Sequence, residues 1–281
     1  MKPTPADTNL DFFRSLSHRP AEAIDLSRAA LMIAAWNYPD LDVEAALESL
    51  NVLGQSVAER VAHTTTLPER LERLVHALSV EEHFRGNIEE YYEPRNSFLN
   101  DVLTTRCGLP ISLAVIYMHV ARHAGIDLRG VAAPGHFITR AELASGEPIF
   151  VDPFYGVTLT TAAVRERYRA QHAGDEELPL AALEPVDSRR ILLRMLANLK
   201  YLYVAREDAD RALACCERSL AIEPDSPPDL RDRGLLLLER ESFRAGIADL
   251  ARYLELAPNE QWSDSVRARL AAAQRLLDTL N

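Results

Sequence analysis

Two prolines in the last third of the chain, Pro224 and Pro258, stand 34 residues apart, closing the phrases Ala-Ile-Glu-Pro and Leu-Ala-Pro. Proline cannot continue a helix, so the same boundary is marked twice. From Ser188 onward each segment between such breaks has its apolar residues three and four apart, the spacing of an amphipathic helix. A fixed period of this length means helix pairs stacked in register, each unit lending an apolar face to the next. This part of the chain is therefore expected to be all-helical and modular.

The spacing is the tetratricopeptide period. Counting back from the two prolines, Leu199, Tyr203, Ala212 and Cys216 take the signature positions of one unit, and Gly234, Leu237, Gly246 and Leu250 those of the next. Gly234 is placed to let two helices approach closely. A final helix is expected over Ser263 to Leu277. Adjacent Cys215 and Cys216 are expected inside the repeat pair, one thiol in the core and the other turned aside.

The earlier residues follow different rules. Asp25 to Asn37, Val43 to Ala62 and Glu69 to Leu78, the last opened by Pro68, read as helices of a lead-in over about residues 1–84. Phe84 to Ser97 mixes Gly, Asn, Pro and Tyr, as an irregular loop with aromatic anchors does. Pro110 stands where a first helical turn belongs, and Ile111 to Ala124 is apolar on most faces before Gly125, which predicts a buried central helix. Leu128 to Ala133, Phe137 to Arg140 and Pro148 to Asp152 are short runs between Gly and Pro, the pattern of antiparallel strands. The fold class is α+β for a first domain over 1–187, followed by an all-α domain over 188–281.

Charge and cysteine content narrow the function. A formal net charge of −11 opposes binding to a phosphate backbone, so no nucleic acid partner is expected. The first residues carry no apolar signal region and the longest apolar runs are too short to span a bilayer, which predicts a cytoplasmic protein with no membrane contact. Three cysteines, two of them adjacent, suit reduced thiols and offer no zinc ligand set. His119 and His123 share a helix face, but no third ligand accompanies them, so neither a metal nor any other cofactor is expected. Composition does not fix the oligomeric state.

Chemistry concentrates between Asn96 and Asp152. Cys107, His136 and Asp152 occur in the order that a thiol nucleophile, its base and the base's orienting carboxylate would take. His136 follows a Pro-Gly turn at the start of a strand, so backbone geometry holds its ring. Asp152 precedes a proline at a strand end, where a carboxylate either orients an imidazole or caps the next turn. Ser112, in the first turn of the central helix, is an alternative hydroxyl nucleophile or a capping group.

Phe84-Arg-Gly-Asn87, Tyr91-Tyr92, Arg95 to Leu99, Gly108-Leu-Pro110, Pro134-Gly-His-Phe137 and Asp152-Pro-Phe154, with Leu230 to Leu235 and Tyr253 to Leu256, resemble the motifs of the bacterial SirB-type family. That resemblance implies a transglutaminase-like domain joined to tetratricopeptide repeats. It also implies that Asn96, Arg106 and Tyr92 belong to the same pocket, Arg106 either gripping a carboxylate or tying down the loop at 84–97. In transglutaminase-like enzymes the nucleophile caps the central helix. Here that register falls near Pro110 or Ile111, with Cys107 about one helical turn earlier. Two functions follow. One is an interaction or regulatory factor, non-catalytic or weakly catalytic, with a peptide or ligand pocket around His136 and Asp152 and a protein partner through the pocket or the repeats. The other is an amide hydrolase or acyl transferase using Cys107, His136 and Asp152.

Overall fold

The computed structural model describes residues 5–171 and 178–280. Met1 to Thr4, part of the stretch read above as lacking an apolar signal region, lie outside them. The chain divides into two units, one over Pro20–Met195 and one joining the N-terminal helix α1 (Pro5–Ser17) to the residues from Leu196 onward.

The first unit opens with α2 (Leu26–Asn37), α3 (Val43–Val61) and α4 (Leu67–His76). Asp25, Asp42 and Thr66 cap them, each side-chain oxygen accepting a backbone N–H that the first turn leaves without a partner. A two-residue strand β1 (Arg85–Gly86) pairs in parallel with β2 (Cys107–Gly108), which follows α5 (Leu99–Thr105). Then comes α6 (Pro110–His123), buried on nearly every face, as its apolar composition predicts. An antiparallel sheet of β3 (Arg129–Val131), β4 (Ile138–Glu142), β5 (Pro148–Asp152) and β6 (Val157–Leu159) packs against it and is followed by α7 (Thr161–Gln171). Register sets Thr139 opposite Val151 and Asp152 opposite Val157. The α+β class and three of these strands agree with the sequence reading; β6 has no counterpart in it.

The helix α8 (Ser188–Ala205) carries the chain into the second unit, where α9 (Ala209–Ile222), α10 (Pro227–Glu239), α11 (Phe243–Leu256) and α12 (Ser263–Leu280) follow. Leu199, Tyr203, Ala212 and Leu250 are buried at the expected positions. A Cβ on Gly246 would lie 2.8 Å from the Gly234 carbonyl oxygen, and one on Gly234 2.7 Å from Leu250, so both glycines serve the close crossing of α10 and α11. Cys215 and Cys216 are both fully buried, which corrects the expectation that one thiol turns aside. The reason is α1, which covers a second face of α9 and is fastened by Arg218 Nε donating to Asn9 Oδ1 at 3.0 Å.

His119 belongs to the packing of the first unit. Its Nδ1 accepts from the Ser27 hydroxyl at 2.8 Å, and its Nε2–H donates to Asn51 Oδ1 at 3.1 Å. Among the described residues no group of three or more metal-ligating side chains exists. Burial, reinforced by Arg122 and His123, lowers the pKa of His119 to about 4. The unfolded chain takes up this proton near the ordinary 6.5, so its contribution to stability is complete above that pH and is lost as pH falls from 6.5 towards 4. Urea unfolding at pH 7.5 and pH 5 should show an acid loss on the order of 2 kcal/mol that His119→Gln lacks.

Candidate functional site

Two turns and a helix build the site. Ala133-Pro134-Gly135-His136 closes with His136 N–H donating to the Ala133 carbonyl at 3.2 Å, and Gly135 takes the positive φ of 74° that the third position of such a turn requires. The imidazole is thereby set just ahead of β4. Asp152 ends β5, and its Oδ1 accepts the backbone N–H groups of Phe154 at 3.1 Å and Tyr155 at 3.4 Å, an Asx-type cap on the hairpin turn. Its Oδ2 accepts from His136 Nε2 at 3.0 Å and from Arg167 Nη1 of α7 at 2.9 Å. Both readings of this carboxylate therefore hold at once.

The carboxylate fixes the imidazole tautomer. An ionised Asp152 only accepts, so Nε2 carries the proton and Nδ1 of the neutral ring keeps its lone pair. Asp152 is 1% exposed, whereas the His136 and Arg167 side chains are 20% and 42% exposed. Tyr155, 53% exposed, lies under the Arg167 guanidinium at 5.4 Å. Behind these groups lies a cavity of about 40 Å³ with apolar walls that include Ile138, Leu159, Val164 and Leu178.

The other sequence candidates take different places. Cys107 is half-buried in β2, paired with Arg85, and its hydrogen bonds are backbone ones with the Thr105 hydroxyl at 3.3 Å. It does not line the cavity beside His136. Asn96 is buried and organises the loop: its Nδ2 donates to the Glu90 and Tyr91 carbonyls, its Oδ1 accepts from Asn87, and its own carbonyl accepts from Leu109 N–H and the Ser112 hydroxyl. Ser112 is a fully buried capping group at the start of α6. Arg106, in the left-handed conformation, lies over Phe84 at 4.5 Å while its carbonyl accepts from Arg85 N–H. It ties down the loop.

Tyr92 is 64% exposed and is joined to His136 by a file of aromatic rings, Tyr91 and then Phe154, each edge-on to the next. Gly86 fixes this file: its N–H donates to the Phe154 carbonyl at 2.9 Å, and a Cβ there would lie 2.4 Å from the Phe154 ring. Arg167 and Tyr155 are site residues that the sequence reading missed. Tyr155 follows the recognised Asp-Pro-Phe motif directly, a usable signal. Arg167 is one of three alternating arginines in its helix, and nothing in the sequence distinguishes it.

Residues 44–197 match the model of the transglutaminase-like superfamily, and residues 199–271 match a tetratricopeptide repeat model. The chain belongs to the transglutaminase-like superfamily. Its relatives include the UPF0162 protein of Xylella fastidiosa, 37% identical over 265 residues, 93% of this chain and 94% of the relative. The UPF0162 protein of Vibrio cholerae is 27% identical over 256 residues, covering 89% and 93%. Protein SirB1 of Salmonella typhimurium is 27% identical over 234 residues, covering 83% and 86%, in agreement with the SirB-type resemblance. No solved structure matches. In this transglutaminase-like protein the central helix begins with Pro110, and among the described residues no helix is long and apolar enough to cross a membrane. Tetratricopeptide repeats generally mediate contacts between proteins.

Proposed function

We propose that this protein is a cytoplasmic interaction or regulatory factor, non-catalytic or weakly catalytic, whose pocket around His136 and Asp152 seats a peptide or small ligand. The observation that carries this reading is the partnership of Asp152 Oδ2, which holds both the imidazole and Arg167 beside an apolar cavity that Cys107 does not line. A hydrolase using a Cys-His-Asp set needs its sulfur within hydrogen-bond reach of the imidazole. The interaction surface of the repeats is assigned to residues 188–281 and the pocket to 1–187, with Asn96, Arg106 and Tyr92 shaping the loop beside it.

The competing reading, Cys107 attacking an acyl group with His136 as base and Asp152 orienting it, is favoured by the intact His-Asp pair. Incubation with a panel of acyl esters and peptide amides separates the two. The pocket reading expects turnover at background in wild type and in His136→Ala alike. Turnover in the wild type that His136→Ala and Cys107→Ala both abolish contradicts it.

A further inference from the structure

The cavity beside His136 is divided by polarity. Ile138, Val164 and Leu178 are buried at its base, while Arg167, Tyr155 and His136 keep their exposure on the solvent side. Arg167 uses one N–H toward Asp152, and the guanidinium carries five. The remaining donors stand at the rim of an apolar recess, in the planar fork that suits a carboxylate. His136, its Nε2–H committed to Asp152, offers a lone pair on Nδ1 to an N–H donor. Donor fork, acceptor and small apolar recess together describe a ligand with a carboxylate, a neighbouring N–H and a short aliphatic group.

We propose that the site binds the C-terminus of a peptide ending in a small aliphatic residue such as alanine or valine. The terminal carboxylate lies on the free edge of Arg167, the last amide N–H donates to His136 Nδ1, and the side chain enters the recess formed by Ile138, Leu159, Val164 and Leu178. A recess of about 40 Å³ is of a size to hold a short aliphatic group. A free aliphatic acid would satisfy Arg167 and the recess but leave the imidazole without a donor, so the peptide is the better fit. The proposal rests on the pocket reading above and narrows it to one ligand class.

Three probes test it by ligand-observed NMR titration on the full chain: N-acetyl-alanyl-valine, its C-terminal amide, and isovalerate. The expected order is the dipeptide acid at least about ten-fold tighter than either of the others, the size of one charge-assisted hydrogen bond. Arg167→Ala should remove the preference for acid over amide. Arg167→Lys, which keeps a cation opposite Asp152 and so protects the fold, should lower acid affinity several-fold through loss of the fork. Equal affinity for acid and amide overturns the carboxylate assignment and leaves the pocket reading standing. Isovalerate as tight as the dipeptide overturns the peptide assignment. Failure of all three probes to bind overturns the inference and the pocket reading together.

Discussion

Replacing Asp152 with alanine is expected to destabilise the first unit by about 3 kcal/mol, more than any other substitution at the site. The carboxylate is 1% exposed and accepts from four donors, two of them the backbone N–H groups of Phe154 and Tyr155. Alanine leaves the buried Phe154 N–H without an acceptor and frees the hairpin turn that orients the Phe154 ring toward His136. Each orphaned buried donor costs about 1–3 kcal/mol, and this part of the loss dominates. Arg167 contributes little to it, because a guanidinium 42% exposed regains water on release. Urea unfolding monitored by circular dichroism checks the ranking. Asp152→Ala should be the severe variant, Asp152→Asn should keep the Oδ1 cap and lose less than half as much, and Arg167→Ala should stay within about 1 kcal/mol of wild type.

Lys200→Met is expected to cost the repeat unit about 3–4 kcal/mol. The Lys200 ammonium sits between Asp229 and Asp232, donating to a carboxylate oxygen of each at 2.7 Å, in a place where all three side chains are largely buried. Burial works against the lysine charge, but the two carboxylates outweigh it and hold the pKa above the ordinary lysine value. Methionine matches the length and removes the cation. Asp232 keeps Arg231 as a partner at 2.6 Å, while among the described residues Asp229 is left with the Ser226 hydroxyl. Neutralising that orphan should restore most of the loss, so Lys200→Met with Asp229→Asn is expected to recover more than half of the stability that Lys200→Met removes. A double variant no more stable than Lys200→Met would mean that the orphaned Asp229 charge does not carry the loss.

What the sequence made legible depended on local signals. The bounds of β5 and α6 follow from Pro148, Pro110 and Gly125, residues whose backbone restrictions act wherever they occur. The repeat helices follow from a period that needs no long-range information. Contacts between distant residues stayed hidden. Asn9 and Arg218 are 209 positions apart, and no local pattern announces that α1 covers α9, so the burial of both cysteines had no forecast. At the site, His136 and Asp152 were legible because a turn and a strand end advertised them. Arg167 was not, since its place beside Asp152 is set by how α7 lies against β5 and β6.

The most direct test of the account is the pH dependence of alkylation at Cys107, followed by peptide mass spectrometry in wild type and His136→Ala. Cys215 and Cys216 serve as internal references: burial raises both thiol pKa values, that of Cys216 to about 12, so both should label only on unfolding. A binding pocket at the His-Asp pair predicts a Cys107 labelling rate that His136→Ala leaves unchanged at every pH, including pH values well below the usual thiol range. Rapid labelling of Cys107 well below that range, lost in His136→Ala, would establish a thiolate held by the imidazole and contradict the central claim that the His-Asp pair serves a binding pocket.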